Sequence, residues 1–193
     1  MPQSVENMLE QLTRQVGERY FGKYGGVVID NDDPLQLARL KVRVPALMQD
    51  AEIGWARPAL PFAGPGHGHV MVPEADAMVW VEFEAGNLDQ PIWSGCFYAE
   101  NQSAPGPSAP GGHVIATPQG HRVVLDDDGD KLVVTHSGGA MLEMTATEVT
   151  LQLGASKMVL SNTAITFNDG VLKIGPAGVS LANGAMTLGV PPV

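Results

Sequence analysis

The stretch Leu151-Gln-Leu-Gly-Ala-Ser-Lys-Met-Val-Leu-Ser-Asn-Thr-Ala-Ile-Thr-Phe-Asn-Asp-Gly-Val-Leu-Lys-Ile-Gly-Pro-Ala-Gly-Val-Ser-Leu-Ala-Asn-Gly-Ala-Met-Thr-Leu-Gly189 decides the fold of the C-terminal third. Leu151, Met158, Ile165, Leu172, Val179 and Met186 stand seven residues apart, and each is followed two positions later by Leu153, Leu160, Phe167, Ile174, Leu181 or Leu188. A heptad ordinarily signals a coiled coil, but there the apolar positions stand three and four apart. A separation of two is the period of a strand. Turn residues fill the gaps: Gly154, Ser161-Asn162, Asn168-Asp-Gly170, Gly175-Pro-Ala-Gly178, Asn183-Gly184 and Gly189. So many glycines and a proline oppose a helix. The unit is one apolar–x–apolar strand plus a tight turn. Val123/Leu125, Leu132/Val134 and Leu142/Met144 repeat it upstream with looser spacing.

Two inward side chains on so short a strand cannot bury themselves, so stacked neighbours must close a core. A single-chain β-helix takes roughly 20 or more residues per coil, and these repeats supply only a few such coils. Three chains wound together solve the problem: each gives one strand per layer, the inward pairs meet at a common axis, and no lateral edge remains. The expected trimer core is Leu151, Leu153, Met158, Leu160, Ile165, Phe167, Leu172, Ile174, Val179, Leu181, Met186 and Leu188. Folding and assembly are then inseparable. Met141, Met144, Met158 and Met186 read as adaptable fillers of a narrow core.

Immediately upstream, Ser103-Ala-Pro-Gly-Pro-Ser-Ala-Pro-Gly-Gly112 lacks apolar periodicity and reads as a linker. From Tyr24 to Tyr98 the period is two, with strands expected at Tyr24–Asp30, Leu37–Val44, Trp55–Leu60, Met78–Glu84 and Pro91–Phe97. Leu40, Val42 and Val44 share one face and Arg39, Lys41 and Arg43 the other; Val79, Val81 and Phe83 turn inward, with Trp80, Glu82 and Glu84 outward. The opposite outward charges suit cross-strand pairing. Five strands with turn-rich connections and no helical crossover give an antiparallel barrel of the OB type. At the N-terminus Val5, Met8, Leu9, Leu12 and Val16 form one stripe of a short helix, with Ser4 as N-cap and Gly17 near its end. Such a helix is marginal alone and needs a partner surface. The expected organisation is therefore a helix over 1–19, an OB domain over 20–102, a linker over 103–117 and a three-chain β-helix over 118–193.

Composition agrees with this architecture. Among 193 residues there are 23 Gly and 15 Pro, yet 44% are hydrophobic, too many for a disordered chain. A net charge of −10 speaks against general binding to nucleic acid or to an anionic membrane surface. The single cysteine, Cys96, excludes an intramolecular disulfide framework and reads as a core residue. No run of 18 apolar residues and no secretory leader is present, so the chain is read as soluble and folded in a reducing cytoplasm.

Catalytic and metal-binding patterns are weak. His67-Gly-His69 lies in a Pro/Gly loop without an acidic ligand set and reads as a loop tip. Asp126-Asp-Asp-Gly-Asp130 lacks the Gly and Glu of a calcium loop, having Lys131 and Ser137 in their places, and Asp128-Gly129 reads as a hairpin turn. No nucleophile elbow, zinc-protease motif or phosphate loop occurs, so neither an enzyme nor a cofactor is expected. Arg39, Lys41 and Arg43 offer the one basic stripe by which an OB surface contacts an oligonucleotide.

Several runs together resemble the baseplate spike family of contractile injection systems, which includes phage baseplate assembly protein V, OB-containing phage tail spikes and the VgrG proteins of type VI secretion. They are Tyr20-Phe-Gly-Lys-Tyr-Gly-Gly-Val-Val-Ile-Asp-Asn-Asp-Asp-Pro34, Leu37-Ala-Arg-Leu-Lys-Val-Arg-Val-Pro45, Trp55-Ala56, Pro73-Glu74, Val79-Trp-Val-Glu-Phe-Glu84, Pro91-Ile-Trp-Ser-Gly95 and Gly120-His-Arg-Val-Val-Leu-Asp-Asp127. The resemblance implies a homotrimeric needle, an OB collar followed by a triple-stranded β-helix, that is assembled in the bacterial cytoplasm as a component of a phage tail or of an extracellular or secretion injection particle and pierces a target envelope mechanically. VgrG proteins carry a large hub portion before the barrel, and some phage spikes insert a lysozyme after it. Here a short helix and a Pro/Gly linker stand in those places, which implies a separate hub protein docked through Val5, Met8, Leu9, Leu12 and Val16. Some members hold a metal with histidines near the C-terminus; no His follows His136, so a separate PAAR-type tip or a bare end is implied. The alternative is an oligonucleotide- or glycan-binding OB module on a trimeric stalk.

Overall fold

Alternation in Leu40-Lys-Val-Arg43 and Met78-Val-Trp-Val-Glu-Phe83 turns Leu40, Val42, Val79, Val81 and Phe83 to one side, and these residues form the core of a closed barrel. The computed structural model describes residues 5, 7–10, 17, 19–48, 51–106 and 110–189, and the chain divides into two units, Met1–Gln102 and Ser103–Val193. The first unit holds β1 (Tyr24–Asp30), β2 (Leu40–Arg43), β3 (Glu52–Pro58), β4 (Ala63–Gly64), β5 (His67–Gly68), β6 (Met78–Phe83) and β7 (Pro91–Cys96). The barrel order is β1-β2-β3-β7-β6, closed by β6 pairing with β1. Val28, Val44, Ile53, Ala56 and Trp93 complete the core.

Four of the five barrel junctions are antiparallel, as expected, but β3 and β7 run parallel, with Arg57 opposite Ile92 and Pro58 opposite Trp93. A parallel neighbour requires a long crossover, which the segment between β3 and β7 supplies by way of β4, β5 and β6. This order also corrects the expected ion pairs. Because β2 and β6 are not neighbours, Glu82 pairs with Lys23 and Glu84 with Arg57, while Lys41 pairs with Asp30 at 3.1 Å. Cys96 is exposed rather than in the core: the β6–β7 register shifts near it, and Gly95 sits at φ +118°. Val5 and residues 7–10 are helical, with Val5, Met8 and Leu9 exposed; Ser4, Leu12 and Val16 lie outside the described residues.

The loop between β1 and β2 is organised around one buried carboxylate. Asp33 accepts backbone N–H bonds from Leu35 (3.0 Å), Leu37 (2.9 Å) and Arg39 (3.2 Å), and from Nε of Arg39 at 3.0 Å. Gln36 and Ala38 adopt φ of 53° and 57° to wrap the chain around it. The Arg39 guanidinium, with the three backbone donors, holds the Asp33 carboxyl well below the usual carboxylate range.

The second unit is a ten-stranded antiparallel meander in which each strand pairs with its neighbours in sequence. Its strands are β8 (Gly112–Ala116), β9 (Arg122–Asp126), β10 (Lys131–Thr135), β11 (Met141–Thr145), β12 (Glu148–Leu153), β13 (Ser156–Ser161), β14 (Ile165–Phe167), β15 (Leu172–Gly175), β16 (Gly178–Leu181) and β17 (Met186–Gly189). The expected 103–117 linker is thus too long, because its last residues form β8 against β9, with Ile115 opposite Val123. Pro and Gly on the near side mask the short apolar run there.

Asp33 yields a stability prediction with a definite sign. Its carboxyl is acidified by folding, so its contribution is complete above the unfolded value near 4 and drains away as pH falls from there towards the folded value. Asp33→Ala is expected to lower the thermal midpoint of the barrel by several degrees at pH 7, and the gap to wild type should close in scans below pH ~4.

Candidate assembly interface

Partners across an antiparallel pair point to the same face, so register alone traces the surfaces of the meander. Two apolar columns result. One runs Leu125, Leu132, Met144, Val149, Leu160, Ile165, Ile174, Val179, Leu188. The other runs Ile115, Val123, Val134, Leu142, Leu151, Met158, Phe167, Leu172, Leu181, Met186. The reverse face carries Thr150, Val159, Thr166, Lys173, Ser180 and Thr187 at the intervening positions.

Among the described residues of one chain, none covers the apolar face. Leu151, Leu160, Met186 and Leu188 are 44%, 47%, 55% and 63% exposed. Ala164 is the single buried residue among the described residues of this unit. A groove of ≈ 660 Å³ opens on the face, lined in part by Val134, Leu142, Leu151, Met158 and Phe167. Contiguous exposed apolar surface on this scale marks an interaction site.

The heptad residues fall on this face, with one shift. Leu153 lies one position beyond the columns, opposite Ser156, and Val149 takes the place beside Leu151. Val149-Thr-Leu151 is itself an apolar–x–apolar triplet, but the Gly154–Ala155 turn puts it out of phase with the seven-residue spacing. Met141 is also corrected: it pairs with Thr135 and Gln152 on the reverse face rather than filling the core.

Turn chemistry sustains the repeat. Asn168, Asp169 and Gly170 take φ of 45°, 54° and 99°; Ala182, Asn183 and Gly184, two strands later, take 48°, 55° and 98°. Asn and Asp tolerate this left-handed region better than most residues. The Asn168 side chain also accepts the Lys157 backbone N–H at 2.8 Å. At Gly178, φ +118°, a Cβ would strike the Leu188 carbonyl.

The other candidate sites are structural in their contacts. His67–Gly68 is one strand of a small ribbon with Ala63–Gly64, and His67 Nδ1 lies 3.1 Å from the Pro65 carbonyl. Asp126–Asp130 is the β9–β10 hairpin turn, in which the Gly129 N–H donates to the Asp126 carboxylate at 2.9 Å. Two residues of the basic stripe are engaged within the barrel: besides their ion pairs, Arg39 and Lys41 lie 5.3 Å and 5.0 Å from the Trp55 ring centroid. Among the described residues no group of three or more His, Cys, Asp and Glu is placed to hold a metal, and no helix is long and apolar enough to cross a membrane.

Comparison with known families divides the chain along the same lines. The family model for the type VI secretion system/phage-baseplate injector OB domain matches residues 24–98, and that for the phage baseplate V C-terminal trimerisation domain matches residues 112–187. No curated protein matches the chain.

The two faces make opposite predictions within one strand. Leu160→Asp or Phe167→Asp, each burying three unpaired charges in one layer, is expected to abolish the assembled mass in light scattering. Thr166→Asp, beside Phe167 but on the reverse face, is expected to leave it intact.

Proposed function

The chain belongs to the phage baseplate V family of structural baseplate components, its OB unit and its trimerisation unit each matching in turn, and from that premise we propose that it is the central spike of a contractile tail or injection tube. The observation that carries the reading is the pair of apolar columns, which one chain leaves open along its whole meander. Three copies wrapped with these faces inward form an intertwined β-helical needle whose trimer core is the heptad set, with Val149 in place of Leu153. Unpaired strand edges are then confined to the two ends of the meander, β8 and β17, and the needle between them resists bending and unfolding. Its work is mechanical: sheath contraction drives it through the target envelope.

The OB barrel serves as the collar, and the exposed Val5, Met8 and Leu9, with Leu12 and Val16 of the same stripe, dock it to a separate hub protein. A PAAR-type tip receives the far end. Binding of an oligonucleotide by the barrel has less support, because Arg39 and Lys41 are already engaged by Asp33, Asp30 and Trp55.

Reconstituted particles with two truncations test this. Chains lacking residues 1–19 are expected to trimerise but fail to join the hub. Chains ending after Leu153 are expected to enter the particle, yet contraction against dye-loaded envelope vesicles should release several-fold less dye. Undiminished release by the shortened needle contradicts piercing, and undiminished incorporation without residues 1–19 contradicts the docking role.

A further inference from the structure

One hairpin of the meander differs from the others at both of its ends. At the open end of β9–β10, His121 and His136 stand side by side, ring centroids 4.5 Å apart. They extend the apolar face outward from the Val123–Val134 pair, and His136 lines the same groove as Val134 and Leu151. The Ser137 N–H donates to His121 Nδ1 at 3.3 Å, and the Gly138 N–H to His136 Nδ1 at 2.9 Å. With Nδ1 accepting, each neutral ring carries its proton on Nε2 and has one donor to spare. A metal bound through Nε2 would need the proton on Nδ1, facing a backbone N–H, so the pair is built for an acceptor rather than for a cation.

At the closed end of the same hairpin lies an acidic turn. The Asp127 carboxylate is 74% exposed, and its one ionic contact among the described residues is His113 Nε2 at 3.7 Å, from a position that pairs with Leu125 on the apolar face. It retains lone pairs for further donors. Six residues of extended chain separate His121 from Asp127, roughly 20 Å at about 3.3 Å per residue, so the two cannot meet within one chain.

A cyclic trimer brings unlike edges together. Its interfaces are heterologous, so the histidine edge of one chain meets the opposite edge of the next, and a rotation without translation keeps equivalent rows level. Resting on the trimeric reading above, we propose that His121 and His136 donate from Nε2 to Asp127 of the partner subunit, so that three such clasps close one layer of the needle. In the next three rows the positions flanking the columns are Ala140, Ala146, Thr147, Leu153, Ser156 and Asn162, all uncharged, and Asp169, which flanks Phe167 one row further on, is paired with Lys157 of its own chain at 3.6 Å. The clasp therefore occurs at one level and sets the register of chains whose repeating apolar rows pack nearly as well after a slip of two strands.

A mutant cycle on the full chain tests this, read as thermal midpoint and as mass by light scattering. His121→Ala/His136→Ala and Asp127→Ala are each expected to lower the midpoint, and the triple variant to lower it no further than the larger of the two, with the trimeric mass kept. Because the sites lie at opposite ends of the hairpin, such coupling reports contact between chains. Additive losses with the mass retained overturn the clasp and leave the trimer standing; a monomeric wild type overturns the trimer itself. If the alanine variants fail to assemble, His121→Cys/Asp127→Cys in a Cys96→Ser background decides. Oxidation is expected to link chains covalently on a non-reducing gel, and monomer bands alone overturn the proposal.

Discussion

An antiparallel meander with two apolar side chains per strand on one face has no means of covering that face with its own chain. Everything in the C-terminal unit follows from this constraint. Ten strands at about 4.8 Å spacing make a surface about 43 Å long. Along it run two unbroken apolar columns, backed by threonine, serine and lysine. Folding the meander alone would leave this surface in water; closing it with two further copies gives each column partners at every level. In a trimerisation domain built this way, the hydrophobic effect that stabilises the fold is the same one that assembles it.

The barrel solves its burial problem within one chain, and its loops show how. Val28, Leu40, Val42, Val44, Val79 and Val81 are completely buried. Asp33 ties the β1–β2 loop to Arg39, and Trp55 lies over Arg39 and Lys41. Arg39 and Lys41, which look available in the sequence, are thereby committed to the architecture. A self-sufficient barrel and an open-faced meander suit the structural role of a baseplate component.

The readability of these features in sequence depended on whether each was local. Inward alternation in β2 and β6 was legible residue by residue, since a strand announces its faces in its own sequence. So was the heptad, because strand and turn together keep a constant length from β13 onward. Further upstream the turns at Thr117–His121, Asp127–Asp130 and His136–Ala140 vary, and at Gly154–Ala155 the phase slips, which is why Val149 was displaced by Leu153. What depends on strand order was not legible: the parallel β3–β7 closure, and hence the partners of Glu82 and Glu84. Strand β8 was hidden by the Pro/Gly run before it, and Cys96 by a bulge that alternation does not reveal. The His121–His136 pair, fifteen residues apart in sequence, becomes visible only once the β9–β10 register is known.

The central claim is that three chains, and not one, form the structural unit. Light scattering coupled to size exclusion, on the intact chain under native conditions, addresses it most directly. The expected mass is near 61 kDa, three times the 20.3 kDa chain. A folded species at the mass of one chain would contradict the trimeric needle and everything built on its apolar face.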